Sequence, residues 1–323
     1  MSAVFGALRK NALAPSLDDV TFAKRGFPAG ATPEARHLES IPQTVIFGFE
    51  VGIELGDRPD ALARLDMVEH DFHSFAYEGA TMAFTLLDVM PGRRSDRTRL
   101  FLDGHGAKHL FVAYIGIGFA MAHLPRVLWS KVLPELKDPY HPTVSWLAVD
   151  GYGFDRAYFD TKRWVHEQYV PKPYPWQGRP EYFGRACDQG IGRALWFMHG
   201  ASVPGVAAGV GAFAEHRRAD LWSGVGLAAA YAGTGDAEAL KALRNVSGEY
   251  WPELAQGVVF AAKARAHADS QTPHTQIAAQ VICDISVAEA GEMADRASSG
   301  FAPGHGPVPD YEVWRGRVQQ HFR

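Results

Sequence analysis

A short glycine-centred string returns six times along the 323 residues, and it limits the possible folds more than any other feature. The copies read EGATMAF from Glu78, IGIGFAM from Ile115, DGYGFDR from Asp150, QGIGRAL from Gln189, SGVGLAA from Ser223 and QGVVFAA from Gln256, around the pattern G-x-G-x-A. Their first glycines, Gly79, Gly116, Gly151, Gly190, Gly224 and Gly257, lie 33 to 39 residues apart, the length of one helical-hairpin repeat. FGFEVGIEL around Gly52 reads as a degenerate seventh copy. Between copies stand turn formers and polar stretches such as MPGRRSD, KPYPWQGRPE and AGTGDAE, as a helix pair per repeat requires.

Glycine inside a helix costs about 1 kcal/mol relative to alanine, so small residues at i, i+2 and i+4 need a compensating gain. Close packing supplies it. Positions i and i+4 share one face while i+2 lies nearly opposite, which lets a helix be sandwiched between two neighbours. The expected fold is therefore all-α: helical hairpins of about 33–39 residues stacked as a solenoid or a partly closed α/α array. The tetratricopeptide signature W-x2-L-G-x2-Y is not met. Residues 1–40 read as an N-terminal arm, with Thr32-Pro33-Glu34 as a helix start. Residues 41–300 form a single helical-repeat domain, and 301–323 carry a capping helix, DYEVWRGRVQQHF, able to close an apolar face.

The apolar run LFVAYIGIGFAMAHLPRVLW, 110 to 129, resembles a membrane span until His123, Pro125 and Arg126 interrupt it. Its sister copies carry Asp, Arg, Gln and Glu, so its apolarity reads as burial rather than insertion. With 47% apolar and 21% charged residues the chain is a folded globular one. A net charge of -4 offers no general attraction for nucleic acid. Two distant cysteines, Cys187 and Cys283, supply neither a disulfide framework nor zinc spacing. No secretory signal is visible at the N-terminus, so a cytoplasmic location is expected.

The repeat also provides an internal control, because the residue type expected at each register is known. The fourth position holds Met82, Phe119, Phe154, Leu227 and Phe260, but Arg193 in copy four. The fifth holds alanine except for Asp155 in copy three. A buried charge must find a partner or line a wet cavity. Asp155 and Arg193 are therefore expected to approach each other, as a structural bridge or as part of a pocket. The position before the first glycine is polar in five of the six copies: Glu78, Asp150, Gln189, Ser223 and Gln256. These are either a ligand-facing row or solvated helix starts. Copy four is densest in chemistry, with Cys187, Asp188, Gln189 and Arg193 ahead of Trp196, Phe197 and His199. HRRADLW in copy five places His216, Arg217, Arg218, Asp220 and Trp222 within two turns, as a second site element or as ordinary surface ion pairs. DMVEHDFH sets Asp66, Glu69, His70 and His73 at helical offsets, and DGHGAKH holds His105 and His109. Neither makes a metal site by itself, and no P-loop, dinucleotide fingerprint or nucleophile elbow is present. No cofactor is called for.

DQGIGRALWF at 188–197 and RRADLWSGVGLAAAYAG at 217–233, with FAYEGATMAFTLLD and VDGYGFDRAYFD, resemble an uncharacterised bacterial family that accompanies enediyne polyketide biosynthesis genes. The likeness runs from about residue 45 to the end. It implies an accessory role in making a secondary metabolite, with a long polyene or derived carbocycle as ligand and the polyketide synthase or other pathway proteins as possible partners. It carries no established catalytic residues. From the residues themselves, one reading is a cofactorless acid/base enzyme acting on an apolar polyunsaturated intermediate. Asp188, Asp155 and Arg193 would be its catalytic groups, and Glu78, Asp150, Gln189, Trp196, Asp220 and Trp222 would bind substrate. The rivals are a terpenoid-type cyclase with an aromatic-lined cavity, and a non-catalytic helical scaffold or carrier for a synthase product.

Overall fold

The computed structural model describes residues 16–55, 59–90, 96–300, 306 and 308–323, and among them there are helices and turns but no strand. The all-α class is thus the observed one. In chain order the longer helices are α1 (Pro33–Leu55), α2 (Pro59–Leu65), α3 (His70–Val89), α4 (Arg97–Leu102), α5 (Leu110–Ala122), α6 (Trp146–Phe159) and α7 (Phe183–Met198). They continue as α8 (Val203–Gly211), α9 (Glu215–Tyr231), α10 (Ala237–Ser247), α11 (Trp251–His267), α12 (Pro273–Cys283), α13 (Val287–Ser298) and α14 (Asp310–Gln319). Thr32 caps α1, its hydroxyl accepting the Ala35 amide. That helix runs on through residue 40, where the sequence suggested the arm would end, and residues 1–15 of the arm fall outside the described part.

Two compact units emerge. One gathers the chain up to Arg25 with Glu39–Tyr152, and the other joins Gly26–Leu38 to Gly153–Arg323. Each glycine copy is a helix, on α3, α5, α6, α7, α9 and α11, and within each unit the glycines sit where helices meet. In the first unit a methyl group at Gly79 would overlap the carbonyl of Val45, one at Gly116 that of Glu78, and one at Gly151 that of Ile115. The second unit repeats the pattern, with Gly224 against the Gln189 carbonyl and Gly257 against that of Ser223. For Gly116, Gly151, Gly224 and Gly257 the carbonyl met belongs to the residue just ahead of the preceding copy's first glycine.

The second glycine faces the other way. Gly118 meets the Ala148 carbonyl, Gly153 that of Cys187, Gly192 that of Leu221 and Gly226 that of Leu254, each three residues before the next copy's first glycine. A helix clasped from both sides has no room for a β-carbon on either, which answers the 1 kcal/mol cost of each glycine. In α1 it is Gly48 that lies against the Ala76 carbonyl, while Gly52 meets Ala83 and Ala80. The degenerate copy is therefore centred four residues earlier than the sequence suggested.

All of α5, Leu110–Ala122, is buried, as expected for a helix between neighbours. Among the described residues no helix is long and apolar enough to cross a membrane. In the second unit α7, α9, α11 and α13 pack successively, and the connecting helices α8, α10 and α12 pack on one another as a second row. Those connectors start on side-chain caps, from Ser202, Asp236 and Thr272. The C-terminal α14 seats Trp314 in the core, its indole N–H donating to the Ala294 carbonyl at 2.8 Å and its ring 4.5 Å from that of Phe260.

Candidate functional site

Asp188 projects from α7 two residues before Gly190, and Arg217 from α9 seven residues, two helical turns, before Gly224. Both therefore lie near the glycine contact that draws these helices together. They form a forked pair: Arg217 Nε donates to Asp188 Oδ1 and Oδ2 at 3.2 and 3.0 Å, and Nη2 to Oδ1 at 2.6 Å. Nη1 donates to the Gln168 carbonyl at 3.0 Å, and the guanidinium carbon stands 4.8 Å from the Phe213 ring centre. Both side chains are buried. Burial drives the Asp188 carboxyl upward, the hydrogen bonds and charge of Arg217 pull it back, and nearby Asp220 adds to the rise. The result is pushed up to about 6, a displacement that favours the protonated form inside the fold by about 3 kcal/mol.

A second polar group lies beside the first, built around Asp220, three residues after Arg217 on α9. Asp220 on α9 accepts from Arg185 Nε at 2.8 Å and from Gln189 Nε2 at 3.0 Å, and Arg315 Nη1 of α14 lies 2.8 Å away. Glu312 accepts from Arg185 at 2.7 Å, from Arg315 at 2.6 Å and from the Tyr182 hydroxyl at 2.7 Å. Tyr182 in turn accepts from Gln189 and Arg315. Arg315 Nε reaches Gln256 Oε1 at 3.0 Å, and the Ser223 hydroxyl donates to the same oxygen at 2.8 Å. Two arginines face two carboxylates, so the interior charge is balanced. Burial alone would raise Glu312, but Arg315, Arg185 and Tyr182 outweigh it and hold the carboxyl below its ordinary value. Burial and its acidic neighbours push the Tyr182 phenol well up, so it stays a neutral donor.

The residues singled out in the sequence thus separate into groups. Asp188 finds Arg217. Gln189 and Asp220 join the second network, together with Ser223 and Gln256 of the polar row, all buried inside helices rather than at solvated starts. Arg193 places its guanidinium carbon 4.9 Å from the ring centre of Phe154, its counterpart at the same register of the preceding copy. Asp155 lies 3.9 Å from Arg156 Nε. Trp196 is wholly buried and donates to the Gly233 carbonyl at 3.0 Å, and Trp222 is core. Glu78 and Asp150 are buried in the first unit.

Four contributors were not anticipated as site residues, Tyr182, Arg185, Glu312 and Arg315, and Arg217, named within HRRADLW, was not matched with Asp188. Arg217 had a visible signal, because it shares the packing face of Gly224. So did Arg315, which falls on the stripe of Tyr311, Trp314 and Val318, all buried.

The two histidine strings meet in the first unit. Asp66 precedes α3 in a turn rather than sharing its helix, yet His73 Nε2 lies 3.1 Å from its Oδ1, and the Tyr77 hydroxyl donates to that oxygen at 2.7 Å. His109 lies edge-on to His73 at 5.3 Å, its Nδ1 3.1 Å from the Ser74 hydroxyl. Among the described residues no three His, Cys, Asp or Glu side chains converge as a metal site needs.

Neither the curated proteins nor the solved structures contain a match to the chain. Residues 4–322, essentially its full length, match the family described as "Protein of unknown function (DUF1702)", and the chain belongs to that family.

Proposed function

We infer that the protein is an accessory enzyme of secondary-metabolite biosynthesis, of the enediyne polyketide type, using Asp188 as a general acid on an apolar polyunsaturated intermediate. The observation that carries this reading is the Asp188 carboxyl, buried against a single arginine and pushed up to about 6. A carboxyl of that affinity supplies both protonation states near neutrality, as general acid catalysis requires. Protonated, it gives its proton to an alkene or enol carbon, whose π electrons form the new C–H bond. The cation so left then loses a neighbouring C–H proton, or the enol its O–H proton, back to the carboxylate, which the Arg217 fork stabilises in the interim. Arg217 thereby takes the partner role that the sequence suggested for Arg193, which with Asp155 stays a candidate further along α6 and α7.

The test is product formation by a producing strain carrying Asp188→Asn, with circular dichroism to verify folding. Loss of product with the helical signal intact supports the acid, and undiminished product contradicts it. One observation favours a second, non-catalytic reading. Asp220, Glu312, Arg185 and Arg315 saturate one another within the chain, as a scaffold needs to hold its frame. Co-sedimentation with the polyketide synthase, combined with full product formation by Asp188→Asn, is the outcome that reading predicts.

A further inference from the structure

Of the groups bonded to Arg217, one comes from outside the repeat helices. Its Nη1 is met by the main-chain carbonyl of Gln168, in the irregular turn that follows α6. That turn is unusual in three respects. Residues Lys162–His166 form a single wide turn, the Glu167 amide donating to the Lys162 carbonyl at 2.9 Å, a geometry that recurs at functional positions. Gln168 holds a left-handed φ of 51°, costly for a side chain with a β-carbon. Its side-chain amide Nε2 donates to the Ala212 carbonyl and ties the turn to the segment before α9. The turn also closes on itself: the Tyr169 amide donates to the Arg163 carbonyl at 3.0 Å, and the Arg163 guanidinium lies 3.9 Å over the Tyr169 ring. Lys162, Arg163, His166 and Glu167 are exposed while Trp164 is buried. Large apolar side chains, Phe159 before the turn and Val170 after it, are left in water.

A carbonyl oxygen delivered to a buried guanidinium by a strained, latched turn stands where an acyl oxygen of a ligand would bind. We propose that the turn Lys162–Tyr169 is an autoinhibitory cover, and that the ligand is an apolar chain ending in an acyl oxygen, which replaces the Gln168 carbonyl on Arg217 Nη1. The proposal rests on the reading of Asp188 and Arg217 as the reacting pair and adds the ligand's polar terminus to it. Phe213, buried against the Arg217 guanidinium, is the apolar group beside that site, and Phe159 and Val170 stand exposed at the two ends of the turn. The closed turn reduces apparent affinity by the fraction of molecules in which it is open.

Gln168→Gly tests this in the full chain, because glycine keeps the left-handed φ and the main-chain carbonyl while deleting the latch to Ala212. Linolenate serves as the acyl probe and the corresponding C17 triene hydrocarbon as the control. Two results are expected. Amide exchange at Glu167 and Tyr169 quickens about tenfold while α11 is unchanged, and linolenate binds about tenfold more tightly than to the parent, with no gain for the hydrocarbon. Arg217→Lys, which loses the fork, removes the gain. Unchanged exchange, or a gain shared equally by the hydrocarbon, overturns the proposal. Should Arg217→Lys fail to fold, the contrast between the two probes in Gln168→Gly still decides. Binding is read without turnover, so failure here is distinct from failure of Asp188 as an acid, which only product formation reports.

Discussion

At the scale of single residues, the Asp188–Arg217 pair illustrates how burial and pairing compete. The fork offsets part of the cost of bringing a carboxylate out of water, but not all of it, and the carboxyl keeps its proton to about pH 6. Removing one partner strands the other. Asp188→Leu and Arg217→Met are each expected to cost about 3–5 kcal/mol in urea unfolding, and the double variant clearly less than the sum of the two. Strict additivity would show that the pair does not interact. The sequence singled out Asp188 because copy four is the densest in chemistry, but it pointed to Arg193 as the electrostatic partner. Two adjacent arginines in HRRAD look alike as text. On a helix they point about 100° apart, so Arg217 turns inward to Asp188, while Arg218 caps the carbonyls of Phe213 and Gly211. Arg315 was harder still to foresee, since it arrives from a helix more than 120 residues beyond α7's first polar contact and belongs to no repeat.

At the scale of elements, glycine was legible for a simple steric reason: nothing larger fits where two backbones meet. Gly224→Ala, against the Gln189 carbonyl, is expected to destabilise by about 3 kcal/mol or more. Gly316→Ala on α14, with no atom within 4 Å of the added carbon, should instead gain up to about 1 kcal/mol from helix propensity. Equal effects at the two sites, measured by thermal unfolding, would contradict the packing account. The spacing of DMVEHDFH misled for the opposite reason. Helical offsets were present, but residues 66–69 form a turn, and Asp66 reaches His73 across the break into α3. The polar row was also only half readable. Its register was visible, but its meaning depended on α14, whose Arg315 converts Gln256 from a loose acceptor into part of a closed network.

At the scale of the whole molecule, the repeat announced an all-α chain, whereas the division into two units falls inside α6, between Tyr152 and Gly153, where no change of composition marks it. Function also acts at this scale, because a carboxyl whose folded affinity exceeds its unfolded one ties global stability to pH. For Asp188 the sign is fixed by the upward shift: its contribution is fully present below about pH 4 and is lost as pH rises through about 6. The decisive measurement is the unfolding free energy of the parent and of Asp188→Asn across that interval. The parent is predicted to lose about 3 kcal/mol relative to the variant as pH rises from about 4 to above 6. A parent that instead gains stability relative to the variant over the same range would show an ionised, Arg217-held carboxylate, and the assignment of Asp188 as a proton donor would fall.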